Sequence, residues 1–581
     1  MGVIKMIKIK EWKQICEYLI YAKKYKKKIL ILYISAIGSN IINLFPIYFM
    51  GNIINCAVDK QFDKIIKTIL VMLIFFVVST VLSAAETYFS NVLVNSIAND
   101  LKEKIFNKFT KMTISNISEM GIGNFISVIE NDTDVISNFF IENILEAIIS
   151  FSTAVVSLFF LVKLSKELTF TAICFLPVIY IGYAIFGKYI KKVSFILKQK
   201  KDCNMSYINH KYENIKEIKN CCIEKTTCRK YSNMIADILK SVIKYSNISM
   251  ASTIFGMTIS SISEWTIIAI GCWKIINGNL MIGNYVSFNG YLQKFMTAVN
   301  GLLNMNIIIQ NTIVSSERIT RIMKMNEENY EVGFAIQEVG GDIEIDNLSC
   351  GYNTLNNVIQ NLSVQFRKND IYVIVGTNGS GKTTFFNAIM RFIDIGTGKI
   401  LIDGLDIMDI NLHSLRSNIA YVQQGNPSFD GSIKEIFLEV NPAITEQEIA
   451  ELCASVGVSN LIDTLPEKYD TVIGREGMSL SGGEYRKILI AKSLARKSKI
   501  LLLDEITSDL DGKAEKEVME VLKELAHNHT IILISHRASS IVTIPNICVM
   551  DNGRIIATGS HEELLNSCKK YRILVENQLG D

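Results

Sequence analysis

Several features that would place this chain quickly are missing. No two of its twelve cysteines form a C-x-x-C pair, and only Cys221-Cys222 are neighbours. Paired-cysteine frameworks are thereby set aside, and the cysteines read as small buried hydrophobes in a reducing compartment. Charge of one sign is also scarce. Sixty Lys and Arg against 57 Asp and Glu leave a net charge of +3, too little for a nucleic-acid binder. No small-residue cleavage site follows a short apolar core at the N-terminus, which excludes a secretory signal there. Internal repeats and low-complexity tracts are absent too.

What is present is apolar and unevenly spread. Hydrophobic residues make up 49% of the 581 positions, and mean hydropathy is +0.26. The length requires at least two domains. Before about residue 303 the apolar residues form long runs; afterwards they alternate as in a soluble α/β domain. Six runs are long enough to cross a hydrocarbon core: 29–52, 65–90, 139–162, 168–190, 247–274 and 280–303. Short outward turns are expected at Asp59–Gln61, Ser165–Glu167 and Asn277–Asn279. Two long polar connections, 91–138 and 191–246, carry helical patterns and are expected on the cytoplasmic side. Lysines at 188, 191, 192, 198, 200 and 201 support that orientation, as do Lys23, Lys24 and Lys26–Lys28 before the first span. The predicted division is an interfacial segment at 1–28, a transmembrane domain at 29–303, a polar linker at 304–340 and a soluble α/β domain at 341–581, where the motifs below place an activity. The stretch from Trp12 to Tyr21 is expected along the membrane surface.

The second half carries the chemistry. Gly376-Thr377-Asn378-Gly379-Ser380-Gly381-Lys382-Thr383-Thr384 has the form G-x-x-x-x-G-K-[ST]. It follows an apolar strand, Ile371–Val375, and precedes a predicted helix over Thr383–Arg391. Glycines let backbone N–H groups wrap phosphates, and the helix N-terminus adds positive potential. Lys382 is expected on the β- and γ-phosphates of ATP, and Thr383 on Mg²⁺. The strand Ile500–Leu503 ends in Asp504-Glu505. Asp504 fits the metal-facing acid, directly or through water, and Glu505 is placed to orient or deprotonate the attacking water.

With these motifs the sequence resembles the ATP-binding cassette (ABC) transporter family, in its exporter-type half-transporter form. Leu480-Ser481-Gly482-Gly483-Glu484 resembles the family signature, whose usual last residue is Gln. The resemblance implies that this signature acts in trans on the γ-phosphate held by an opposite subunit. It further implies that Tyr352 stacks on adenine, and that Gln424 touches Mg²⁺ and the lytic water, with Gln423 as its neighbour. Ser508-Asp509-Leu510-Asp511 resembles the interface loop, where Ala is usual at the second position, and His536 resembles the histidine that contacts the γ-phosphate. Residues 473–477 read Ile-Gly-Arg-Glu-Gly where exporters often read VGERG, so Arg475 and Glu476 exchange the usual acid and base. Gly123–Ser127 with Glu130–Val135 resembles the first cytoplasmic connection of exporters, and Asn277–Gly283 their last external turn.

The implied fold is a six-helix, all-α transmembrane domain of the type IV exporter kind, followed by an α/β P-loop ATPase. The implied activity is ATP hydrolysis coupled to export by alternating access of a dimer, from the cytoplasmic side outward. That dimer is a homodimer or a pairing with a related half-transporter. Coupling segments are expected near Ser115–Glu119 and Asn209–Glu213. The cargo is a small amphipathic molecule, a peptide or a lipid, with the bilayer as partner and no nucleic acid. The setting is a cell membrane of the bacterial plasma type, with the N-terminus and ATPase cytoplasmic. A lipid flippase of the same fold is the alternative, and an ATP-gated channel or sensor the alternative from another class. No Cys/His protease module precedes the spans, which disfavours a peptide exporter of the cleaving type. Among the acids in or near spans, Glu86, Glu142, Glu146 and Glu264, the cavity candidates are Glu264 and Glu86.

Overall fold

A computed structural model describes residues 18, 20, 22–336, 338–352, 357–423, 431–474, 478, 480–508, 510–537 and 541–579. It divides into two compact units, one formed by residues up to Thr110 with Met120–Met325, the other by Lys111–Glu119 with Asn326–Asp581.

The first unit is helical. Lys26–Ile42 and Phe45–Val58 make one span, interrupted at Asn43–Leu44, with Pro46 in the first turn of the second helix, where its missing N–H costs nothing. Phe62–Lys111, Ile122–Leu164, Lys166–Glu213, Glu224–Ile276 and Ile282–Met323 follow. Among the described residues five helical stretches are long and apolar enough to cross a membrane. The sixth expected run, 280–303, is helical, but Asn284, Asn289, Gln293, Lys294 and Asn300 dilute its apolar face. Phe76, Leu73 and Val81 on Phe62–Lys111 stand exposed, as lipid-facing residues do.

The outward turns are tight. Lys60 adopts a φ of 59° between Val58 and Phe62. The turn expected at Ser165–Glu167 is a single residue. Ser165 is extended, its Oγ accepts from the Leu168 N–H, and the next helix resumes at Lys166. A Cβ on Gly51 or on Gly283 would collide with the carbonyl oxygen of the other, so two backbones meet there. Asn55 Oδ1 accepts the orphan N–H of Gly283 at 2.8 Å, and the Tyr291 hydroxyl donates to the Leu44 carbonyl at 3.0 Å.

Three expectations shift. The helix begun at Ile282 runs to Met323, well past residue 303 where a polar linker was expected to begin. Its buried Thr312 and Ser316 return their hydroxyls to the carbonyls of Ile308 and Ile313, so polar residues sit inside a helix at no loss of hydrogen bonds. Residues 115–119 do form a short helix, Ile114–Met120. Residues 209–213 are instead the last turn of Lys166–Glu213; the separate short helix is Ile215–Asn220. Finally, Cys350, Cys453, Cys548 and Cys568 are buried, whereas Cys174, Cys203, Cys221, Cys222, Cys228 and Cys272 are exposed.

In the second unit a six-stranded sheet runs in the order Arg554–Gly559, Asn546–Asp551, Ile371–Val375, Thr530–Ile534, Ile500–Asp504, Ile419–Val422. All neighbours are parallel except the first pair. Alternate residues feed opposite cores: Val373, Val375, Leu501 and Leu503 one, Ile374, Ile500 and Leu502 the other. This confirms the α/β reading. An antiparallel sheet of Ile359–Phe366, Ile343–Cys350, Ile395–Ile402 and Leu405–Asp406 accompanies it.

Candidate functional site

The strands Ile371–Val375, Ile500–Asp504 and Thr530–Ile534 lie side by side with their C-terminal ends together. That register gathers the phosphate loop, Asp504-Glu505 and His536 at one edge, the usual ligand position of an open α/β sheet. The loop turns into the helix Lys382–Ile389 through Gly381, whose φ of 103° favours glycine. A cleft of roughly 660 Å³ is lined by Tyr352, Asn378, Lys382, Thr383, Glu505 and His536 with the loop glycines.

Inside it the charges are held apart and ready. Lys382 is buried, and its Nζ donates to the carbonyls of Gly376 and Thr377 at 3.0 Å each. Burial lowers its pKa, while Glu505 and Asp504 pull it back. Asp504 is 1% exposed. Burial raises its pKa, opposed by the hydrogen bond from Thr383. Among the described residues its Oδ1 has no hydrogen-bond partner, a buried acceptor beside a threonine hydroxyl. That donor set fits a hard divalent cation such as Mg²⁺.

Glu505 adopts a φ of 50°, its N–H fixed by the Ile534 carbonyl at 3.1 Å. His536 Nε2 stands 2.9 Å from Glu505 Oε1. Burial and then the Lys382 charge lower the His536 pKa, against the pull of Glu505, so the ring is neutral at neutral pH. Tyr352 is 56% exposed, and its hydroxyl accepts from Asn387 Nδ2 at 3.0 Å, which leaves a ring face open beside the cleft. Gln423 is exposed at the end of Ile419–Val422. Gln424, Asp509, Arg475 and Glu476 lie outside the described residues.

Ser481 caps the helix Gly482–Leu494 in a capping box closed by Glu484. Glu484 Oε2 accepts the Ser481 hydroxyl at 2.6 Å and its N–H at 2.9 Å. The segment Leu480–Glu484 contributes nothing to the cleft lining among the described residues. Asp511 caps Gly512–Leu525, accepting from Ala514 N at 2.7 Å.

Sequence reasoning missed Arg537. Its guanidinium donates to the carbonyls of Ser508, at 2.7 Å, and Leu510, and pairs with Glu515 at 3.1 Å. It thereby ties the loop 508–511 to the residue after His536. Adjacency to His536 was the available signal. In the other unit, Glu86 and Glu264 are half-buried on Phe62–Lys111 and Glu224–Ile276. Neither makes an ion pair among the described residues; Glu264 feels Tyr285 electrostatically.

Comparison with known proteins decides the family. Residues 29–299 match the family model described as ABC transporter transmembrane region, and residues 359–508 match the one described as ABC transporter. The chain belongs to the ABC transporter family. It is an exporter-type half-transporter, with one membrane region fused to one ATPase, and a multi-pass membrane protein that binds ATP and couples its hydrolysis to transport. It is similar to Bacillus subtilis (strain 168) YgaD, provisionally named a multidrug export ATP-binding/permease protein, at 26% identity over 567 residues, covering 96% of this chain and 98% of that one. A Staphylococcus aureus (strain NCTC 8325) protein with the same provisional description is 27% identical over 576 residues, covering 97% and 99%. The counterpart in strain COL aligns equally. The transporter thus matches such relatives end to end.

Proposed function

We propose that two copies of this transporter form a homodimer that exports an amphipathic small molecule, peptide or lipid by alternating access. Each ATP is held between one copy's phosphate loop and the other's Leu480–Glu484. One observation carries this reading: the exposed Ser481 lies off the cleft of its own chain, which leaves one wall of that cleft to be supplied by a second copy. The provisional names of the relatives support a drug-like cargo. The cycle runs in a cell membrane with the ATPase and N-terminus on the cytoplasmic side, a reading that the lysine distribution supports.

In this reading Tyr352 stacks on adenine, and residues 376–384 wrap the phosphates. Lys382 exchanges its loop carbonyls for β- and γ-oxygens. Thr383 and Asp504 hold Mg²⁺, with Gln424 as a further ligand. When bound, the ion neutralises charge that builds up on the transferring phosphoryl group. Glu505 orients the attacking water and accepts its proton, while neutral His536 donates its one N–H to the γ-phosphate.

ATPase activity in lipid nanodiscs, screened with lipids, cationic drugs and short peptides, tests this together with uptake into inverted vesicles. One class is expected to stimulate hydrolysis and to accumulate only with ATP. Hydrolysis without ATP-dependent accumulation of any class would overturn the export reading.

Two residues sharpen it. Glu264 lines the translocation path, so Glu264→Ala is expected to change stimulation by substrate while basal ATPase persists; an unaltered substrate response counts against it. Glu484 both engages Ser481 and brings a carboxylate to a segment that meets phosphate. Glu484→Gln keeps an acceptor and removes the charge. The KM for ATP is expected to fall by roughly two- to fivefold, the size of an exposed charge interaction. A KM that stays level or rises would argue that the carboxylate does not face the nucleotide.

A further inference from the structure

The stretch after Met323 is more than a tether. Glu328 is a buried acid, its side chain 8% exposed, gripped by Arg416, itself 12% exposed. The grip is bidentate: Nη1 to Oε2 at 2.5 Å and Nη2 to Oε1 at 2.9 Å. The Tyr330 hydroxyl adds a third bond to Oε2 at 2.8 Å. The same guanidinium donates onward, from Nε to the Met390 carbonyl at 3.2 Å and from Nη2 to the Arg391 carbonyl at 3.1 Å. It also lies over the Phe392 ring, 4.7 Å from its centroid. Met390 is the C-cap of Lys382–Ile389, the helix that opens with the phosphate-loop lysine.

The main chain of Glu328 faces elsewhere. Its N–H donates to the Lys111 carbonyl at 2.7 Å. Asn326 beside it receives the Thr113 N–H at 3.4 Å and Asn116 Nδ2 at 3.3 Å. Met112, 2% exposed, pairs with Glu327 as an isolated bridge. Residues 111–119 follow directly on the long helix Phe62–Lys111 and include the expected first coupling segment. One residue is therefore linked to the far end of the phosphate-loop helix by its carboxylate through Arg416, and touches residues 111–119 through its backbone. Arg416 itself sits on Leu412–Asn418, which leads into the strand Ile419–Val422 and Gln423.

We propose that the Glu328–Arg416 pair is the positioning element that transmits nucleotide occupancy from the phosphate-loop helix to residues 111–119 of the same chain. The chemistry suits the task. A buried bidentate pair with further carbonyl bonds is stiff and intolerant of partial loss, so a shift at Met390–Arg391 moves Glu328 rather than stretching the contact. The proposal rests on reading the cleft at Lys382 as the ATP site.

Amide hydrogen exchange on the full-length chain in nanodiscs, with and without Mg²⁺ and a non-hydrolysable ATP analogue, tests it. In the wild type, residues 376–390 and 111–119 are both expected to gain protection on nucleotide addition. Glu328→Gln keeps the backbone bond to Lys111 and the side-chain shape but breaks the ion pair. Arg416→Lys keeps the charge but loses the fork. In either variant the gain at 376–390 is expected to persist. The gain at 111–119 is expected to fall by at least about fivefold, the lower end of ordinary inter-site coupling. Basal ATPase continues while transport per ATP drops. A structural role alone would lower protection everywhere, with or without nucleotide. If either variant folds and keeps the full response at 111–119, the proposal is overturned. A wild type in which 376–390 does not respond would overturn the ATP-site reading itself, a separate failure.

Discussion

Glu505→Gln is expected to stop turnover and leave ATP bound. Glu505 is the acid 2.9 Å from His536, and its backbone sits at a φ of 50°, a conformation that costs a non-glycine residue about 1 kcal/mol. Such strain persists where the surroundings fix it, here through the bond to Ile534. Gln keeps the shape and can still hydrogen-bond water, but it cannot accept the proton. A well-placed general base contributes roughly 10²- to 10⁴-fold, and phosphate release should fall by that order. Affinity should hold or rise, because Glu505 is one of the negative charges acting on Lys382. Phosphate release and retention of labelled ATP on the same sample check both halves. Ordinary release rates would remove Glu505 from the chemistry. Loss of ATP binding would mean that it shapes the cleft instead.

The second large effect is a rescue. Lys382→Ala should abolish ATP-site function in its own chain, since among the described residues no other one brings an ammonium to the cleft. Gly482→Asp, at an exposed position of the signature, should do the same from the signature side, by placing a side chain and a charge where a phosphate is to approach. Each homodimer is then dead. In a mixed dimer, however, the intact Lys382 of one copy faces the intact signature of the other. Random pairing of equal amounts restores about a quarter of wild-type hydrolysis if sites are shared across a two-fold axis. Tagged co-purification followed by ATPase assay reads this directly. No recovery in verified mixed dimers would mean that each chain completes its own site.

The site was legible because its motifs are fixed by local punctuation. Glycines end Ile371–Val375, two acids end Ile500–Asp504, and a histidine follows Thr530–Ile534; the parallel register then makes three distant segments adjacent. The antiparallel sheet was not legible. Its strands are broken by register shifts near Ile345, Leu348 and Cys350, with Asn347 and Asn361 at positive φ, so period-two alternation is lost. The end of the last membrane helix was misplaced for a different reason: composition marks Thr312, Ser315 and Ser316 as linker, whereas their hydroxyls are buried and bonded within the unit. Arg416 was invisible because its value lies in partners some ninety residues upstream; no spacing announces a buried fork. The turn after Glu213 depends on Asn214 breaking the helix, a choice that a lysine-rich run does not reveal.

One contact in the membrane unit limits how transport can move. At Gly51 and Gly283 two helices meet backbone to backbone, stitched by Asn55 and Tyr291. Where the glycines meet there is no slack: sliding drives the two backbones into overlap, and parting forfeits dispersion and the bonds of Asn55 and Tyr291. Phe45–Val58 and Ile282–Met323 are therefore expected to move as a single post in any change of shape of this unit.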